Sequence, residues 1–206
     1  MSKAKTIVKS VFIVLLIVSV GFNFYFIDQK MKERRQTTID WGKHLIQSYY
    51  DATMFTGTIR DATEGVLKNN TTEQRLSYKY QVGIAYRFNQ SIPSLIVGAE
   101  EVNGQSFKPM KYNPQGTFLE INNVLGSLAS QDGPLQKDEI TYLQTTHDLF
   151  EKVVELLKGY EVITSSDELA LDMTKGGSWV GIVEQINNLF ADAPDYLFTY
   201  RSTHSK

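Results

Sequence analysis

The residues whose types and spacing suggest chemistry are few. His44 stands four places after Asp40 and His147 four before Glu151, so each pair shares one face of a helix. Two such pairs converging in a bundle would offer imidazole and carboxylate ligands to a metal. The spacing is neither that of the HExxH zinc motif nor the ExxH of di-iron bundles, and solvated ion pairs account for the same residues. No metal or other cofactor is assigned on this basis.

The remaining candidates are weaker. Lys175-Gly176-Gly177-Ser178 before a helix could present amides to a phosphate, but the lysine precedes the glycines, and a helix break followed by a serine cap explains the run. Glu100 and Glu101 are adjacent and so point to different helix faces, and nothing selects a catalytic carboxylate pair. There is no GxSxG elbow, GxxxxGK loop or DxDxDG calcium loop, and with no cysteine anywhere there is no thiolate nucleophile, thiolate zinc site or disulfide. The sequence therefore reads as non-enzymatic.

Tyrosines are the more unusual feature. Tyr49, Tyr50, Tyr78, Tyr80 and Tyr86 fall in the two arms of an expected helical hairpin, and each joins an apolar ring to a polar tip. A groove lined by them suits a peptide, a sugar or a small amphiphile, which makes a ligand-sensing bundle the alternative to a protein-interaction module. Rings filling the boundary of a core rich in small residues would give the same pattern.

The elements that must position these residues are helical. Ile39, Gly42, Ile46, Tyr49, Thr53, Thr56, Ile59, Ala62 and Val66 recur every three or four residues, marking one face of a long helix that ends near Asn69 and Asn70. Thr71, with Gln74 three places on, resembles a capping box opening a second helix. Over 76–88 two patterns compete: Leu76, Tyr80, Ile84 and Phe88 form a helical stripe, whereas Tyr78, Tyr80, Val82, Ile84, Tyr86 and Phe88 alternate as in a strand. The cap favours a helix, and so a long αα-hairpin whose second arm bends at Pro93 and runs to about Val102. A strand over 76–88 would instead make the domain α+β.

Asn103-Gly104, Pro109, Asn113, Pro114 and Gly116 then mark a loop long enough to need an explanation. Phe118, Ile121, Leu125 and Leu128 predict a short helix, and Ile140, Leu143, His147, Phe150, Val154 and Leu157 a helix over 137–158 capped by Gly159. Residues 160–164 read as a short strand or extended link, and a short helix follows from Asp167 to Met173. Trp179, Ile182, Val183, Ile186 and Phe190 predict a last helix capped by Ser178 and ended by Pro194, beyond which YLFTY alternates weakly. The fold class is mainly α, with one domain over 38–200 and a polar tail over 201–206. The roughly 170 residues after the charged collar suffice for one core but not two.

What tethers this domain is residues 10–27, eighteen residues without a charge, behind a basic tail over 1–9 and ahead of a charged stalk over 28–37. With part of that tail the run spans about the ~30 Å of a bilayer's hydrocarbon core, so it reads as a transmembrane helix. Ser19 and Gly21 could mark a signal-peptide cleavage site, but the apolar run continues through Phe22, Phe24, Tyr25, Phe26 and Ile27, an aromatic cluster suited to a membrane interface. Lys3, Lys5 and Lys9 precede the span, and Lys30, Lys32, Arg34, Arg35 and Lys43 follow it, a count that favours a cytoplasmic domain. The short basic tail followed at once by an apolar run is the layout of a signal anchor, which sends the domain across, and the extracytoplasmic side is expected on that layout. Three of the 21 basic residues and none of the 23 acidic ones precede Asp28, so the domain is acidic and lacks the basic face of a nucleic-acid binder. The expected function is that of a membrane-tethered interaction or accessory module whose partners are other membrane or envelope proteins.

Overall fold

One helix carries the architecture. The computed structural model describes residues 2–162 and 165–204, with side chains described for 15, 16, 18–162 and 165–200. Helix α1 (Ser2–Lys68) is followed by α2 (Thr72–Ala85), α3 (Ser91–Asn103), α4 (Pro114–Ser127), α5 (Lys137–Leu157), α6 (Asp167–Met173), α7 (Ser178–Ala191) and α8 (Tyr196–His204). No strand occurs among the described residues, and the mainly α class holds.

From Ile39 onward α1 runs through the centre of the domain, with α2, α3, α5 and α6 packed on it. Its buried face is consequently wide: Leu45, Ala52 and Phe55 join the expected Ile46, Tyr49, Ile59, Ala62 and Val66, while Thr53 of the expected stripe is exposed. Buried Thr56 and Thr63 donate to the carbonyls of Ala52 at 2.8 Å and Ile59 at 2.9 Å, so these two hydroxyls sit in the core with partners. Phe55 meets Phe118 of α4 and Phe150 of α5 edge to face at 6.0 and 5.7 Å, and Phe190 of α7 closes the cluster against both, at 4.6 and 5.9 Å. Four helices thus converge on four rings.

The amino-terminal part of α1 behaves differently. From Val18 to Thr37 nearly every side chain is exposed, and the stalk is stitched by pairs one turn apart, Asp28 with Lys32 at 2.7 Å and Gln36 with Asp40 at 2.8 Å. Among the described residues no helix is long and apolar enough to cross a membrane. Of the expected span over 10–27, residues 10–14 and 17 lie outside the described side chains.

The helix preferred over 76–88 is present, as the end of α2 and a 3-10 turn at Tyr86–Phe88, and the strand alternative is not. Several other local expectations are corrected. Thr71 does cap α2, its hydroxyl accepting the Gln74 N–H at 3.2 Å. The second arm stops at Ala85 rather than running on to Val102, and Pro93 lies in the first turn of α3, where its missing N–H costs nothing, rather than at a bend. The stripe Leu76, Tyr80 and Ile84 faces outward, and the inner face of α2 carries Arg75, Val82 and Ala85. Gly159 keeps a negative φ and α5 ends on Lys158, while α7 is capped by Gly177, with Ser178 inside the helix. The YLFTY tail is helical, in α8. Of the expected strand or link over 160–164, residues 160–162 have no regular structure and 163–164 lie outside the described residues.

Gly42 marks a close helix crossing. A Cβ there would lie 2.1 Å from the carbonyl oxygen of Ala170, so α6 crosses α1 only because the side chain is absent. Alanine gains about 1 kcal/mol of helix propensity but meets backbone that cannot yield as a side-chain tip would. Gly42→Ala is therefore expected to destabilise the domain by about 1–3 kcal/mol net, read as a lower denaturation midpoint.

Candidate functional site

The loop after α3 has a structural purpose: it is strapped down to build the wall of a groove. Gly104 ends α3 in the left-handed conformation at φ 70°, turning the chain back along the helix it has left. The Phe107 N–H then donates to the Glu100 carboxylate at 2.7 Å, Phe107 itself is buried, and buried Asn187 of α7 donates to the Lys108 carbonyl at 2.8 Å. Lys108 pairs with Asp192, Lys111 with Asp195, and Tyr112 packs on Phe198 with ring centroids 5.4 Å apart. Asn113 caps α4, with Pro114 in its first turn.

Between this loop, α1 and α3 lies a groove of about 910 Å³. Trp41 and His44 come from α1, Pro93 and Val97 from α3, Pro109 and Met110 from the loop, and Glu100, Glu101 and Lys108 line it as well. Val97, 54% exposed, presents an isopropyl group to the opening. Apolar side chains interleaved with polar and charged ones, His44, Glu100, Glu101 and Lys108 among them, suit a short amphipathic segment of a partner. The groove lies at the end of the domain where α1 enters, Trp41 being fourteen residues after Ile27 and so roughly 20 Å along the helix.

A second groove, of about 930 Å³, lies between α5 and α7. Its carboxylates are largely engaged: Glu151 with Arg60 at 3.6 Å, Glu155 with Lys158, and Asp192 with Lys108. These are surface pairs of small energy, and Leu149, Leu156, Leu189 and Leu197 line the same groove between them.

The expected tyrosine groove is not assembled. Tyr49 is buried and donates to the Leu157 carbonyl at 2.7 Å. Tyr78 is half-buried and lies where a side chain on Gly65 would be, whereas Tyr50, Tyr80 and Tyr86 are exposed. None of the five lines either large groove. The histidine pairs do not converge either. His44 faces the first groove and Asp40 accepts from Gln36, while His147 lies 3.3 Å from the Arg60 carbonyl and Glu151 turns to the Arg60 side chain. Among the described residues no group of three potential ligands could hold a metal. Lys175 pairs with Asp172 at 2.8 Å, away from either groove.

The groups with the most displaced titration are buried tyrosines outside both grooves. Burial pushes the phenols of Tyr49, Tyr142 and Tyr200 above their ordinary range; Tyr142 donates to the Leu197 carbonyl at 3.2 Å and Tyr200 to Asp138 at 2.9 Å. A phenol held neutral in the folded state stabilises it fully below its unfolded pKa of about 10, and that contribution is lost as pH rises further. Stability is expected to fall above about pH 10 by about 1.4 kcal/mol per pH unit for each such phenol. Urea midpoints measured from pH 9 to 11 check this. Tyr49→Phe should cost about 1 kcal/mol at neutral pH and flatten the alkaline slope by one phenol.

Of the groove's apolar residues, Trp41, Val97 and Met110 are not singled out by any motif. The available signal was the length of the loop over 104–113, which called for an explanation without naming the wall opposite. No protein-family model, no curated protein and no solved structure matches the chain.

Proposed function

We propose that the chain is a membrane-tethered, non-enzymatic helical module that binds other membrane or envelope proteins close to the bilayer, with residues 10–27 as its anchor and the domain on the extracytoplasmic side. The observation that carries this reading is the exposed apolar part of α1. Phe22, Phe24, Tyr25, Phe26 and Ile27 are all more than half exposed, on a helix that runs without a break into the domain. Large apolar side chains in such a row need an apolar environment, and a bilayer supplies it along the whole circumference of the helix. The groove at Trp41 and Val97 then lies within reach of segments that emerge from the same membrane.

A photo-crosslinking amino acid placed at Val97 of the full chain in native membranes tests the partner reading. The expected result is a discrete adduct with a membrane or envelope protein, absent when the crosslinker sits at Gly126, a glycine with nothing packed around it. Equal adducts from both positions, or none from Val97, would count against it. An alkaline phosphatase fusion at the carboxyl terminus tests the side, since activity there requires an exported domain.

A further inference from the structure

We propose that the outer face of α2 is a homotypic docking surface, on which a second copy of this chain lays its own α2 in antiparallel orientation about a two-fold axis at Tyr80. Leu76, Tyr80 and Ile84 are 62%, 70% and 42% exposed and follow one another every four residues, so they form a single line along the outside of the helix. An amphipathic helix with its apolar stripe turned to solvent lacks a partner.

The residues around that stripe name the partner. Read outward from Tyr80, positions at equal distance on the two sides are complementary: Ile84 answers Leu76, Gly83 answers Ser77, and Arg87 answers Glu73. An antiparallel two-fold sets Leu76 against Ile84 of the second copy and the Glu73 carboxylate against Arg87 of the second copy at both ends, Arg87 standing three residues after Ile84 in the 3-10 turn that continues α2. Ser77 and Gly83 flank the seam, and a Cβ added at Gly83 would meet nothing within 4 Å, so the backbones are free to approach. Neither Glu73 nor Arg87 forms an ion pair within the chain among the described residues. A parallel pairing would bring Glu73 against Glu73 and Arg87 against Arg87, which the charges oppose. Self-complementarity of this kind is what an isologous interface requires.

Helix α2 has 14 residues and is about 21 Å long, so the contact is small and the association weak. Because α2 folds back along α1, the same axis sets the two α1 helices antiparallel. With α1 anchored as proposed, copies in one bilayer cannot make this contact and copies in facing bilayers can.

The absence of native cysteine makes the test clean. Leu76→Cys and Ile84→Cys are prepared separately as full chains in detergent, then oxidised alone and as a mixture. Eight residues separate the two positions, about 12 Å of rise, and a disulfide needs Cα atoms within about 7 Å. Antiparallel pairing therefore predicts disulfide in the mixture and little in either variant alone. Adding Glu73→Arg to both partners should cut the mixed disulfide several-fold, and adding Arg87→Glu as well should restore it. Disulfide in the single variants at or above that in the mixture, no disulfide in any sample, or indifference to Glu73→Arg would overturn the proposal.

Discussion

Replacing Arg75 by methionine is expected to remove about 2–4 kcal/mol of folding stability, although the residue belongs to no groove and pairs with no carboxylate among the described residues. Arg75 is 1% exposed, and its guanidinium donates to three backbone carbonyls: Asn69 at 2.8 Å, Gln131 at 3.1 Å and Gly133 at 2.9 Å. The first belongs to the turn between α1 and α2 and the other two to the turn between α4 and α5. Around this fork the same two turns are stitched again, by the Thr72 N–H to the Asp132 carboxylate at 2.7 Å and the Gly133 N–H to the Asn70 carbonyl at 3.0 Å. The first of these bonds holds the Asp132 carboxyl below its ordinary range. Methionine fills the aliphatic volume but leaves three part-buried carbonyls without their donors. Lysine at this position restores a charge but not the planar fork that spans three acceptors, and should recover only part of the loss. Urea denaturation of the three proteins at neutral pH orders them Arg, Lys, Met.

Phe55→Ala is the second large effect, about 3–5 kcal/mol. Phe55 is fully buried, and its ring is the contribution of α1 to the cluster with Phe118, Phe150 and Phe190. Truncation removes two edge-to-face contacts and opens a cavity at the point where helices α1, α4, α5 and α7 meet. The helices around it are tied by other packing and cannot all collapse inward. Phe55→Leu, which keeps most of the volume, should cost about 1.5 kcal/mol or less, and the difference between the two variants measures the cavity rather than the loss of aromatic character.

The helical character of the chain, and many of the element ends, were legible because caps and breakers act locally. Thr71, Gly104, Asn113 and Ser166 each do at their own position what their types imply. Which face of a helix is buried depends on distant neighbours, and there the periodicity misled. On α1 a narrow stripe that passed over Phe55 was expected, yet helices pack on several sides, so the buried arc is wider than a surface helix would show. On α2 two apolar stripes compete, and the one with the larger residues faces out. The inner stripe is selected by the Tyr78 ring lying against Gly65 and by the carbonyls that await Arg75, and neither feature is visible within the helix itself. The groove was foreshadowed only by the length of the loop that walls it. Its other walls are joined by tertiary packing between residues some fifty to sixty positions apart in sequence.

The proposed anchor is the claim on which the functional reading turns, and the cysteine-free sequence allows it to be mapped residue by residue. Single cysteines are introduced one at a time from Leu15 to Lys43 of the full chain in proteoliposomes and exposed to a membrane-impermeant maleimide. Protection across 15–26, giving way to labelling from about Lys30 onward, is the expected result. Uniform labelling across 15–26, or a chain that remains in the supernatant when the vesicles are pelleted, would contradict it.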